Sequence, residues 1–429
     1  MTYLQKITLY AICLFTSVAL YSQEEKVIKA QVINQNTNKP IAFASVYYLK
    51  KDIGTYTNEE GTFNFVLSNV NPDDTLLINH IGFQEIRKPI KYFESVSKVQ
   101  MQPEAQNIEQ IVVASKKSKF NVKEFTHEAI KLYNKNKRTT PHIAMAHYRE
   151  KARENGTYIM FMESIGYALY QGKITTQAAY SNYKFFYENT KAAVKGPRWR
   201  HYGTNLNEAH IPISGSINLN SLRRVEHGSV LSLKHYKKYT YQLDSTFLKN
   251  DEVIHAISFK GKNDKGQLLI TINDKRLISM EGSFNSLWSS AFHTRLRANL
   301  KVDFSHYDNQ PFPSKISSSY EHQGLEHTIE LIILQQKYNE FELNDDEYWG
   351  FVSSSTNPYI EYTKEEWTKF SSQIAEEDDL IRIAQDIKGT ASLESTFIEN
   401  ANQWLKPNRG SLSRKKLAQK KIKELKAIF

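Results

Sequence analysis

Alternation of apolar and polar residues with a period of two is the strongest constraint that this sequence places on its fold. The run Arg295–Phe304 alternates without a fault, and residues 253–259 and 329–333 behave similarly. Successive side chains of a strand point to opposite faces, so this period is typical of strands with one buried face. From residue 143 to about 343 it predicts consecutive antiparallel strands in one large curved sheet, a half-barrel.

Helical segments flank this predicted sheet. Residues 120–138 place apolar side chains at helical spacing on one face, and that face is expected to lie against the sheet. Its members are Phe125, Ala129, Ile130, Leu132 and Tyr133. A β-rich domain is therefore expected over residues 120–360, followed by a helical C-terminal region over residues 361–429 that ends in a basic tail.

Shorter strands precede the half-barrel. Residues 24–103 form a series of short apolar runs separated by turn residues, which favours a β-sandwich. Asn58–Gly61 is predicted to close a hairpin, with a positive φ at Gly61 because only glycine adopts that conformation without strain. Residues 104–119 are predicted to be a linker.

A motif within the sandwich resembles a known family. Its members in order are Asn34, Thr37, Pro40, Ile41, Ala44, Val46, Gly54, Thr55, Thr57, Asn58, Gly61, Phe63 and the run Leu76–Phe83. They resemble the carboxypeptidase regulatory-like domain, a prealbumin-like β-sandwich. The resemblance implies seven strands and no peptidase activity, because this domain is not the catalytic part of carboxypeptidases. It is also similar to the N-terminal domain of TonB-dependent receptors, whose plug and barrel this chain is expected to lack.

The N-terminus predicts export. Lys6 precedes an apolar stretch from Ile7 to Ala19, and the small residue Ser22 stands before Gln23, which is the order of a cleavable secretory signal over residues 1–22. Cys13, the one cysteine, lies inside that stretch, so no disulfide is expected in the mature chain. The predicted location is the periplasm or the periplasmic face of the outer membrane.

The positive charge belongs to one segment. Of the net charge of +10, Lys6 falls in the signal. From Arg409 onward, eight Lys or Arg residues and one Glu give +7, so the remaining mature chain carries only +2. A near-neutral body does not favour nucleic-acid binding, and no nucleic-acid partner is expected.

No catalytic constellation stands out, and no catalytic residue, metal site or cofactor is expected. His-x-x-Glu occurs at His147/Glu150 and at His327/Glu330, but residues i and i+3 of a strand face opposite ways and cannot share a zinc ion. Neither Gly-x-Ser-x-Gly nor a phosphate-binding or dinucleotide-binding glycine motif is present.

Two segments are candidate binding sites. Arg198, Trp199, Arg200, His201 and Tyr202 combine cations and aromatic rings that suit a glycan, carboxylate or phosphate. The alternative is a surface loop whose aromatic rings close over the sheet edge.

The basic tail is the second candidate. A basic amphipathic helix lies on an anionic membrane surface, whereas the alternative is a frayed, solvated terminus. The residues concerned are Lys415, Lys416, Lys420, Lys421, Leu425 and Phe429.

These observations favour a non-enzymatic envelope protein whose β-domains bind a protein partner or an extended or apolar envelope ligand. The alternatives are an envelope hydrolase, acting on peptides or glycans through an unrecognised site, and a passive scaffold. A hydrolase would need His or carboxylate side chains that converge in a cleft.

Overall fold

The structure is a computed structural model. It describes residues 25–103, 120–170, 183–195, 225–289, 294–337, 362–368 and 379–394, apart from a few single or paired positions, together with Leu222, Phe397, Lys416, Lys420, Lys423 and Glu424. The predicted signal, the predicted linker 104–119 and the candidate loop 198–202 lie outside the described residues.

The described N-terminal residues form the seven strands that the sequence predicts. They are β1 (Glu25–Asn34), β2 (Ser45–Tyr48), β3 (Ile53–Tyr56), β4 (Thr62–Ser68), β5 (Thr75–Asn79), β6 (Ile86–Pro89) and β7 (Lys98–Met101), with one short helix, α1 (Ile90–Ser95), before β7. β4, β1 and β7 make one sheet, while β3, β2, β5 and β6 make the other layer. Buried Val32, Tyr48, Phe63 and Phe65 lie between them.

The turn at Asn58–Gly61 differs from the prediction in one respect. Gly61 has the predicted positive φ, 71°. However, β3 pairs with β2 while β4 pairs with β1, so the turn carries the chain between the two layers and does not close a hairpin. Gly61 is needed because its backbone passes close to β1: its carbonyl accepts from the Val32 amide at 2.7 Å.

The half-barrel is also confirmed. Its described strands are β8 (His142–Glu154), β9 (Thr157–Tyr170), β10 (Tyr183–Val194), β11 (Thr240–Lys249), β12 (Glu252–Lys260), β13 (Lys265–Thr271), β14 (Leu277–Ser289), β15 (Thr294–Tyr307), β16 (Gln310–His322) and β17 (Leu325–Lys337). All pair antiparallel, in the order β10-β9-β8-β17-β16-β15-β14-β13-β12-β11. Strands β10 and β11 therefore lie at opposite edges of the sheet formed by the described strands.

Helix α2 (Val122–Asn136) fills the concave face, as the sequence predicts. The Asn121 side chain accepts from the Glu124 amide at 3.2 Å and so caps the helix. Phe125, Ala129, Ile130 and Tyr133 are buried against the sheet. The chain that leads into β11 contributes Val225, Val230, Leu231 and Tyr236 to the same apolar cluster.

Strand β17 joins the half-barrel to the sandwich. Its residues Leu325–Ile332 pair with β16, but Gln335–Lys337 pair with β3 of the sandwich instead. Two side chains reinforce the joint: Thr55 donates to the Leu334 carbonyl, and Gln335 donates to the Val66 carbonyl at 2.9 Å. Fourteen described strands thus belong to one continuous sheet.

Two short helices lie on the convex side of the half-barrel. They are α3 (Lys364–Thr368) and α4 (Leu380–Lys388). In α4, Ile383, Ala384 and Ile387 pack against Tyr158 and Phe161 of β9. Gly389, with a φ of 70°, ends that helix in the left-handed conformation that suits glycine. Within the described residues, no helix combines the length and the apolar character needed to cross a membrane.

We expect Gly61→Ala to destabilise the fold more than Gly156→Ala. Both glycines have a positive φ, which costs an alanine about 1–2 kcal/mol. A Cβ at Gly61 would also lie 2.5 Å from the Val32 carbonyl oxygen, whereas one at Gly156 meets nothing within 4 Å. The free energy of unfolding, measured with urea, should fall by about 1 kcal/mol for Gly156→Ala and by about 3 kcal/mol for Gly61→Ala. Equal losses for the two variants would mean that the turn at Asn58–Gly61 can move away from the Val32 carbonyl at no cost in stability.

Candidate functional site

The two His-x-x-Glu pairs lie on β8 and β17, and each pair diverges as strand geometry requires. His147 faces the convex side, where its ring meets that of Trp367 edge-on at 5.8 Å. Glu150 faces the concave side and contacts His327 of the neighbouring strand. The two residues of each His-x-x-Glu pair are therefore on opposite faces of the sheet. Glu150 and His327 belong to a polar cluster on one face, and His147 and Glu330 to a cluster on the other.

The concave cluster joins a carboxylate, an imidazole and a phenol. The distance from His327 Nε2 to Glu150 Oε1 is 2.6 Å, and the Tyr148 hydroxyl donates to the other carboxylate oxygen. Tyr320 stacks edge-on against His327 at 4.8 Å. His327 Nδ1 has no hydrogen-bond partner among the described residues. A carboxylate-oriented imidazole is the arrangement that a general base needs, but His327 is only 1 % exposed, so a substrate reaches it only if the structure opens.

The convex cluster is an ion-pair network. Arg149 donates to Glu163 of β9 at 2.6 Å, and Lys315 lies 3.0 Å from Glu330. His147 Nε2 lies 3.5 Å from the Glu163 carboxylate. Burial alone would raise the pKa of Glu163, but His147, Arg149 and Lys191 lower it to about 2. Burial also lowers the pKa of His147 below its ordinary value of 6.5.

The C-terminal segment covers this network. The Lys191 ammonium lies 4.1 Å from the centre of the Trp367 ring of α3, a cation–π contact. Asn189 of β10 exchanges hydrogen bonds with the backbone of Thr363, at 2.9 and 3.0 Å. The Glu150–His327 pair and the Arg149–Glu163 pair are therefore buried, whereas Lys315 and Glu330 are partly exposed. Among the described residues no group of three His, Cys, Asp or Glu side chains could hold a metal ion.

The exposed candidate site is strand β11, an edge of the half-barrel. Among the described strands it pairs with β12 alone, and its residues from Asp244 to Leu248 are all exposed. Phe247 and Leu248 are 36 % and 66 % exposed, on opposite faces. The backbone groups directed away from β12 form a template on which another strand can pair.

The edge formed by strand β6 is protected in ways that the second half of β11 is not. Natural edges are kept short or carry charge, proline or a bulge. Strand β6 has four residues, among them Arg87, Lys88 and Pro89. In β11 a bulge between Leu243 and Ser245 disrupts the first half, while the second half keeps a regular register with β12. Ser245–Leu248 contains neither proline nor charge.

The candidate residues of the tail are described in part. Lys416 and Lys420 are helical and exposed, as are Lys423 and Glu424. Lys415, Lys421, Leu425 and Phe429 lie outside the described residues, as do Arg198–Tyr202.

The period-two pattern predicted strands from residue 143 to about 343, a range that includes β11, but it did not identify the exposed end of this strand. The available signal was the pair Phe247-Leu248. Two successive apolar residues in a strand point to opposite faces, so in a sheet with one solvated face one of them is exposed.

Comparison with known proteins identifies the sandwich. Residues 28–113 match the family model of the CarboxypepD_reg-like domain. The N-terminal sandwich is a carboxypeptidase regulatory-like domain. No curated protein matches the chain in sequence.

Solved structures give much weaker similarities. A DUF1329 family protein from Desulfovibrio piger is 8% identical, with a TM-score of 0.26 over 53% of this chain and 97% of its own. A LolA superfamily protein from Nitrosomonas europaea is 11% identical, with a TM-score of 0.22 over 51% and 95%. An outer membrane lipoprotein-sorting protein domain from Vibrio parahaemolyticus is 11% identical, with a TM-score of 0.24 over 52% and 97%. TM-scores this low do not establish a common fold.

Glu163 gives a pH-dependent prediction. Because its folded-state pKa, about 2, lies below the ordinary value of 4.5, its stabilising contribution is complete above pH 4.5 and is lost as the pH falls towards 2. We expect the contribution to be roughly 2–3 kcal/mol at pH 7. When the pH is lowered from 7 to 3, the free energy of unfolding, measured with urea, should therefore fall more for the native protein than for a Glu163→Gln variant. Parallel pH profiles for the two proteins would contradict the assigned role of Glu163.

Proposed function

We propose that this chain is a non-enzymatic binding protein of the cell envelope, acting after export in the periplasm or on the periplasmic face of the outer membrane. Its partner is an envelope protein that offers an extended segment, which adds to the half-barrel as a strand beside β11. The observation that carries the proposal is the second half of that edge strand, Ser245–Leu248, which among the described strands pairs with β12 alone, is exposed, and carries neither charge nor proline.

Strand addition obtains affinity from the backbone and specificity from alternate side chains. The residues Ser245–Leu248 supply backbone groups in regular register, because β12 holds them at matched positions from Ala256 to Val253. Phe247 and Leu248 add one apolar side chain on each face, so a partner strand would bury apolar surface on both sides of the sheet.

The scaffold behind this edge suits binding better than catalysis. The Glu150–His327 pair, the one described arrangement that a hydrolase could use, is buried under the concave face. Helix α2 is fixed over that face by polar contacts at its surface: Lys275 lies 2.5 Å from Glu128, and the Tyr133 hydroxyl donates to Glu226 at 2.5 Å. The second half of strand β11, in contrast to the Glu150–His327 pair, is exposed to solvent.

Photocrosslinking in intact envelopes tests the proposal. A photoreactive amino acid at Ser245 should give one discrete crosslinked protein. Replacing Phe247 and Leu248 by Lys should reduce that product by about tenfold or more, because charged residues on an edge oppose strand pairing. Leu233→Lys is the control, since Leu233 is 54 % exposed and lies outside the edge strand.

All these variants should keep the melting temperature of the native protein, because the replaced side chains are exposed. A crosslink that survives the lysine substitutions would rule out pairing at this edge. So would an equal product from a probe at Ile381, which is 66 % exposed on the convex side.

A second contact with the envelope is proposed for the tail. Lys416, Lys420 and Lys423 are each helical and exposed, which supports attachment to an anionic membrane surface with Leu425 and Phe429 inserted. Each lysine near such a surface contributes about 1 kcal/mol, and the effect falls off over a Debye length of about 8–10 Å.

Replacing Lys415, Lys416, Lys420 and Lys421 by Gln should therefore remove most binding to vesicles that contain anionic lipid. Binding by the native protein should weaken steeply with added salt. The control replaces four exposed lysines elsewhere, Lys234, Lys237, Lys238 and Lys262, and changes the net charge equally. If both variants float with vesicles equally well, the tail is a solvated terminus.

A further inference from the structure

We propose that a groove on the convex face of strands β11–β15 binds an acidic, hydroxyl-rich glycan chain. The groove has a volume of about 760 Å³ and crosses five neighbouring strands. Its side chains are on the face opposite to Phe259 and Leu268, which are buried under helix α2. This site is separate from the proposed strand-pairing function, which uses the backbone edge of β11.

Strand register arranges the groove as two parallel polar rows. One row is Gln242, Ser258, Gln267 and Glu281, and the other is Thr240, Lys260, Lys265, Ser283 and Asn299. Between them lies the backbone of Tyr241, Phe259, Gly266 and Gly282. Gly266 and Gly282 are cross-strand partners, and the Phe259 ring lies so close that a Cβ at Gly266 would approach it to 2.7 Å. The side chains of Tyr241 and Phe259 are directed to the opposite face, so the floor between the two rows is formed by backbone.

The charges are placed unevenly between the two rows. Lys260 lies directly opposite Lys265, an arrangement of like charges that destabilises a sheet. Among the described residues no carboxylate lies within 4 Å of Lys260, Lys265 or Arg297, while Arg297 reaches Ser283 at 3.4 Å. The nearby carboxylate of Asp244 instead accepts hydrogen bonds from Ser258 and from Gln267, the latter at 3.0 Å. An anionic group between Lys260 and Lys265 would relieve their repulsion.

The groove's shape and chemistry select a glycan chain over a compact anion. Five strands span about 19 Å, at a spacing of about 4.8 Å, which is the length of a short oligosaccharide and exceeds that of a single phosphate or headgroup. Amide and hydroxyl side chains such as Gln242, Gln267, Asn299 and Thr240 both donate and accept, as sugar hydroxyls require. The lysine pair then provides for carboxylate groups along the chain.

Calorimetric titration of the full-length mature protein tests this. The probes are a hexagalacturonate, a neutral maltohexaose and a hexaglutamate peptide. We expect binding of the hexagalacturonate alone. The Kd for hexagalacturonate should rise about tenfold in a Lys260→Gln/Lys265→Gln variant. It should also rise about tenfold in a separate Gln267→Ala/Asn299→Ala variant. Lys234→Gln/Lys237→Gln is the matched control, since both lysines are exposed and lie outside strands β11–β15, and it should bind like the native protein.

Three results would overturn the proposal. They are equal binding of hexaglutamate, which would indicate a general anion surface; equal weakening by the control variant; and no hexagalacturonate binding at millimolar concentration. The Phe247→Lys/Leu248→Lys variant separates this site from the strand-pairing edge, because it should lose the crosslinked partner while the glycan affinity stays unchanged.

Discussion

The divided pairing of β17 is the interaction on which the rest of the structure depends. One strand contributes to the half-barrel through β8 and β16 and to the regulatory-like domain through β3. Because backbone hydrogen bonds continue across the joint, the two parts share one sheet. They also share one apolar cluster, in which Val66 and Phe65 of the sandwich meet Ile143, Met145 and Leu334 of the half-barrel. The regulatory-like domain therefore acts as a fixed extension of the sheet.

The polar clusters on β8 and β17 lie further along the same strand, at His327 and Glu330. Glu150 and His327 occupy the concave face of these strands, while Arg149 and Glu330 occupy the convex face together with Glu163 of β9. Removing one partner of a buried pair leaves an uncompensated polar group, so such clusters restrict which registers two strands can adopt. A slip of one residue would move every one of these groups to the wrong face. We infer that the clusters fix the register of β8 against β17 more than they serve chemistry.

Much of the fold could be predicted because it depends on local periodicity. The alternation in Arg295–Phe304 and the helical spacing from Phe125 to Tyr133 are readable within a short window, and both elements form as predicted. The joint between β3 and β17 could not be predicted, because Thr55 and Gln335 are far apart in sequence and no local signal pairs them. The turn at Gly61 shows the same limit. Its positive φ could be predicted from the local sequence, whereas the pairing partners of the two strands that it connects could not.

The candidate site was less predictable for a related reason. A strand is an edge strand when no other strand pairs with one of its sides, which its own sequence does not reveal. The groove likewise depends on the register of five strands. Strand β11 contributes Thr240 and Gln242 to the groove and Ser245–Leu248 to the open edge, on either side of the bulge at Leu243. A partner strand added beside β11 would extend the sheet and hence the convex face next to the groove's open end. Any change that the partner causes in glycan affinity must equal the change that the glycan causes in partner affinity, since binding couplings are reciprocal.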